Sequence, residues 1–110
     1  MLDDTFRKIE GRVEKTEALN AENKAELLGL ISTLKAEVSE LSRTNLEQAQ
    51  SIAGFTEVST HEATRSEKRP ESLKHALDGL ASAADGFEQA HPRLMDIVNR
   101  ISMLLSNMGI

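Results

Sequence analysis

Apolar residues recur along this chain at alternating steps of four and three, the spacing that keeps one stripe on one face of a helix. Leu2, Phe6, Ile9 and Val13 make the first such stripe, with Asp3 and Asp4 in the opening turn, where acids complement the helix dipole. The pattern predicts a helix over roughly residues 2–18. Gly11 weakens it, and its apolar face is too narrow for it to stand alone. Leu27, Ile31, Leu34, Val38 and Leu41 form the cleanest stripe in the chain, flanked by Leu28 and Leu30 and interrupted by Gly29. Asn20 is the expected N-cap, Glu22 falls in the first turn, and Lys35, Glu37 and Glu40 fill the outer face. The short link around Asn20 predicts antiparallel pairing of these two helices.

Carried onward, the same register places Asn45 and Gln48 in the seam before Ile52 and Phe55 restore it, and at Ser59 and Glu62 it fades. Residues 21–66 are therefore either one long helix or two joined near Ser42–Asn45, and the polar pair favours a break. Apolar content falls from Thr56 to Arg69, and Glu67 to Pro70 reads as the main connector.

The densest patterning lies in residues 70–110, around which the rest of the chain is expected to be arranged. Leu73, Leu77, Leu80, Ala84 and Phe87 make a seam, and beside it Ala76, Gly79, Ala83, Gly86 and Ala90 make a second stripe of small residues only. Glycine inside a helix costs about 1 kcal/mol relative to alanine, so a partner helix is expected to lie close against this stripe. Pro92 disfavours a helical His91, which predicts an end near Ala90 and a new helix with Pro92 as its first residue, the alternative being one kinked helix. Leu94, Val98, Ile101, Leu105 and Met108 continue the seam, and Met95, Ile97, Met103 and Leu104 widen the apolar arc. The methionines read as core filler. Gly109 suits the left-handed position after a helix, with Ile110 folding back.

These patterns predict an all-α protein of four or five helices, antiparallel hairpins forming an elongated bundle. The chain divides into an N-terminal hairpin (1–45), a middle helix and connector (46–69) and a C-terminal pair (70–110), within one domain. Core or interface positions are Leu73, Leu77, Gly79, Leu80, Ala83, Gly86, Phe87, Leu94, Val98, Ile101, Leu105 and Met108. The narrow first helix and thinly apolar middle leave more seam than they cover, so coiled-coil-like pairing into a homodimer is expected.

Composition narrows the function classes. The formal charge of −5 and three dispersed phenylalanines argue against a nucleic-acid surface. The absence of cysteine removes disulfides and thiol chemistry. The start, Met-Leu-Asp-Asp, lacks the basic and apolar character of a leader, and no apolar run approaches the roughly 18 residues of a membrane span. A cytoplasmic protein without membrane partners is expected.

The sharpest chemical hint is Glu88-Gln89-Ala90-His91, the Glu-x-x-His spacing that di-iron bundles use twice. A homodimer would supply a second copy, with Glu37 or Glu40 completing a divalent-metal site. Against it, His91 precedes a proline and leaves the helical path, so a structural corner is the better reading. Glu57 with His61 and Glu71 with His75 are four apart, the spacing of solvated surface pairs. Arg93 and Arg100 share a face near Asp96, again a solvated face. No phosphate loop, dinucleotide fingerprint or catalytic triad can be assigned. The expectation is a non-enzymatic self-association or protein-interaction module without a cofactor, binding itself or another helical protein. The alternative is metal binding through Glu88 and His91.

The strings Gly86-Phe87-Glu88, His91-Pro92-Arg93-Leu94, Ile97-Val98-Asn99-Arg100-Ile101 and Leu105-Ser106-Asn107-Met108-Gly109-Ile110 together resemble a bacterial family, domain of unknown function 4404. Ser51-Ile52-Ala53-Gly54-Phe55-Thr56 and Thr60-His61-Glu62-Ala63-Thr64-Arg65 look like its longer members. The resemblance implies a small helical protein and supplies no activity.

Overall fold

The computed structural model describes residues 2–108, which form α1 (Leu2–Lys15), α2 (Ala21–Leu41), α3 (Leu46–Thr64), α4 (Pro70–Ala84) and α5 (Leu94–Met108), with no strand among the described residues. α1 buries Phe6, Ile9 and Val13. It stops short of Ala18 because the Thr16 hydroxyl oxygen accepts the Ala18 N–H at 3.2 Å, a local bond that competes with the next helical turn. Asn20 caps α2 as expected, its Oδ1 accepting the Asn23 N–H at 2.8 Å. The seam breaks over residues 42–45, and Asn45 is no seam residue: it caps α3, accepting the Gln48 N–H at 3.2 Å. A polar residue at a seam position is here a stop and restart.

Pro70 opens α4, but the helix ends at Ala84 rather than near Ala90. Gly86 lies at φ +94°, the left-handed conformation that glycine adopts without penalty, and it turns the chain out of the helix. Residues 85–93 then run as turns, held in part by the His91 N–H donating to the Phe87 carbonyl at 2.8 Å. Pro92 belongs to these turns and does not begin α5, in which the Ile97 N–H closes on the Arg93 carbonyl at 3.0 Å. Of the expected small-residue stripe only Ala76, Gly79 and Ala83 are helical; Gly86 and Ala90 are exposed, so Gly86 is not a core position. Gly109 and Ile110 lie outside the described residues.

The helix that organises the bundle is α3, not the C-terminal pair. It packs on α1, α2, α4 and α5, while around it α1 meets α2, α2 meets α5 and α5 meets α4. Among the described residues α4 and α1 do not touch, so the ring around α3 has one gap. α3 fits at the centre because most of its buried residues are small: Ala49, Ala53, Thr56, Ser59, Thr60 and Ala63, with Ile52 the large exception. Thr56, Thr60 and the partly buried Thr64 each donate to the carbonyl four residues back, at 2.8, 2.8 and 2.7 Å, which at Thr56 and Thr60 satisfies hydroxyls that water cannot reach.

The close partner of the small stripe on α4 is α3 of the same chain. The Phe55 ring lies against Gly79, and Gln48 Nε2 donates to the Ala83 carbonyl. Leu80, Leu94, Val98, Ile101 and Leu105 are fully buried, and Leu77 and Phe87 pack against the same core. The surplus seam expected to drive dimerisation is thus covered within one chain. Met108 is buried and Met95 partly so, but Met103 is 68% exposed and is not core. The bundle measures 37 × 25 × 23 Å. Its radius of gyration is 12.9 Å.

Candidate functional site

Glu88 and His91 fall in the turns between α4 and α5, so they do not share the helical face on which a Glu-x-x-His metal site depends. The Glu88 carboxylate instead accepts the Gly86 N–H at 3.1 Å. Backbone hydrogen bonds from Glu88 itself and from Gly86 hold this exposed carboxyl below the usual glutamate range. Its observable role is to brace the turn after Gly86. Among the described residues, no group of three or more histidine, aspartate and glutamate side chains gathers to hold a metal. On α5, Arg100 pairs with Asp96 at 3.3 Å on the exposed surface, and on α4 Glu71 and His75 are both exposed.

A concavity lies elsewhere, between α1 and α3. It is an open groove of about 740 Å³. One wall is α1, where Lys8, Arg12 and Lys15 follow one another at steps of four and three. Gly11 lies among them with no neighbour within 4 Å of where a Cβ would sit, which keeps the groove open. The other wall is α3, with Glu57, Val58 and His61. Arg12 crosses between the walls: its Nε donates to Thr64 Oγ1 at 2.6 Å, and that hydroxyl in turn donates a hydrogen bond to the Thr60 carbonyl.

Sequence reasoning treated Glu57 and His61 as a solvated pair. No ion pair joins them; His61 Nε2 lies 4.0 Å from Glu62 instead, and both Glu57 and His61 line the groove. The available signal was the row Lys8, Arg12, Lys15, an all-cationic stripe in an acidic chain. Locating the groove also required α1 to lie alongside α3, a pairing that no local pattern specifies.

The described residues thus form a bundle of five helices around the small-residue α3, with a cation-walled groove between α1 and α3. No helix among the described residues is long and apolar enough to cross a membrane. The family described as domain of unknown function (DUF4404) matches residues 2–110, and the chain belongs to that family. No curated protein and no solved structure matches it.

Proposed function

We propose that this protein is a non-enzymatic interaction module of the cytoplasm that pairs with a second copy of itself through the outward face of α3. The carrying observation is the gap between α4 and α1, where Phe55 is 39% and Val58 48% exposed on the central helix. Ser51, Phe55 and Val58 continue the four-and-three spacing of a packing seam, and Gly54 lies beside Phe55 without filling its own space. A strip that offers both a ring and a hole complements a copy of itself, as a two-fold contact requires.

Only two large side chains per copy are on offer, each contributing at most about 1.5–3 kcal/mol. Association itself costs about 4–15 kcal/mol, so the pair forms weakly, with a dissociation constant in the micromolar range or above. Light scattering on a sizing column, from micromolar to millimolar protein, tests the reading. The expected result is a mass that climbs towards twice that of the chain, and a Phe55→Glu variant that keeps its helicity and stays monomeric. A monomer at every concentration, or a dimer indifferent to Phe55→Glu, overturns it.

A further inference from the structure

We propose that the groove between α1 and α3 binds a small amphiphilic anion, a carboxylate or phosphate headgroup carried on an apolar body. The inference shares Val58 with the proposed pairing strip and separates from it at the cationic wall, which self-association through Phe55 does not need.

The first observation is an imbalance of charge. Arg7, Lys35, Arg43, Arg65, Lys74 and Arg100 each lie within 4 Å of a carboxylate. Lys8, Arg12 and Lys15 have no such partner among the described residues, nor do Lys24, Lys68, Arg69 and Arg93, but the three on α1 stand in one row along a groove wall. Arg12 and Lys15 complement the dipole in the last turn of α1, but like charges three and four residues apart on a helix repel, and a bound anion relieves that repulsion. Glu57 is the one carboxylate among the lining residues, against the three cations of α1.

The second observation is that Arg12 is held in place. Thr64 Oγ1 engages its Nε at 2.6 Å, and Thr64 is itself fixed by its bond to the Thr60 carbonyl at 2.7 Å. Both terminal nitrogens of the guanidinium stay without a partner among the described residues, and these are the atoms that grip a carboxylate or phosphate in parallel. An arginine fixed before its ligand arrives loses less freedom on binding.

The third observation is the rest of the lining. The half-exposed Val58 gives an apolar surface beside the cations, and the volume of about 740 Å³ falls within the range of small-molecule sites. A simple ion such as phosphate would leave that surface wet. A nucleic-acid backbone would need cations beyond the single row, and the remaining surface is acidic.

The test is an amide NMR titration of the full chain with octanoate, octyl phosphate, inorganic phosphate and the neutral octyl glucoside, each kept below micelle formation. Octanoate and octyl phosphate are expected to shift residues 8–16 and 57–64 saturably, at least about tenfold tighter than inorganic phosphate, since headgroup and apolar body both contribute. Arg12→Gln is expected to weaken binding by about tenfold or more while the protein stays folded and helical, and Lys8→Gln by less. Thr64→Val, which frees the guanidinium without removing it, is expected to weaken binding by a smaller factor than Arg12→Gln. Sedimentation with anionic phospholipid vesicles, against neutral ones, would identify the source of the headgroup as a lipid surface; soluble binding alone would identify a free acid. Octyl glucoside binding as well as octanoate, shifts scattered over the surface, or an Arg12→Gln variant that binds like the parent would each overturn the proposal, as would saturation only by an acidic helix added as a peptide.

Discussion

α2 and α3 are neighbours of similar length, 21 and 19 residues, and they solve opposite problems. α2 buries Leu27, Ile31, Leu34, Val38 and Leu41 along a single seam and packs on three helices. α3 buries seven residues, of which only Ile52 is large, and packs on four. Helix axes approach to about 8–10 Å only where the side chains between them allow it, so a helix approached from four sides cannot carry leucines on all of them. Apolar bulk therefore measures how much a helix has to bury, while small buried residues mark the helix that others gather around.

The contrast predicts opposite responses to a change in volume. Leu34→Ala removes most of a fully buried side chain from the α2 seam and is expected to cost about 2–5 kcal/mol in denaturant unfolding. On α3 the damaging change runs the other way: Ala53→Leu forces bulk between packed helices and is expected to cost about 1–3 kcal/mol. The same substitution at the exposed Ala36 of α2 should stay within about 0.5 kcal/mol. An Ala53→Leu variant as stable as the parent would mean that α3 is not closely surrounded.

This contrast also marks what could be read from the sequence. The stripes of α1 and α2, the Asn20 cap, the break over residues 42–45 and the start at Pro70 were legible, because each depends on residues within a turn or two. The end of α4 was not. The seam register runs unbroken from Leu80 to Phe87, and Phe87 does reach the core, but from a turn created by Gly86. The centrality of α3 escaped for a related reason: alanines, serines and threonines read as a weak seam unless the number of neighbours is known. The groove needed the same knowledge, since its cations come from α1 and the threonine that orients Arg12 comes from α3.

The α3–α4 contact offers a finer test. A Cβ at Gly79 would collide with the Phe55 ring, so Gly79→Ala pits a gain in helix propensity of about 1 kcal/mol against displacement of that ring. In the parent the two should roughly cancel or leave a net loss. In a Phe55→Ala background the obstruction is gone, and Gly79→Ala should stabilise by up to about 1 kcal/mol. Equal effects in both backgrounds would show that the ring does not rest on the glycine in solution.

An effect of comparable size but opposite origin concerns Ser59, whose hydroxyl is fully buried and, among the described residues, has no hydrogen-bond partner. Thr56 and Thr60 on either side of it bond to carbonyls four residues back, so the helix tolerates buried hydroxyls when they are satisfied. Ser59 is not, and a buried polar group without a partner carries its full desolvation cost. Replacing it with alanine removes that cost, opens only a small space and adds helix propensity. Ser59→Ala is therefore expected to stabilise the protein by up to about 1 kcal/mol, a rise of several degrees in melting temperature. A loss of stability would instead place a buried water on Ser59 Oγ, making the centre of α3 a polar joint rather than a tight apolar one.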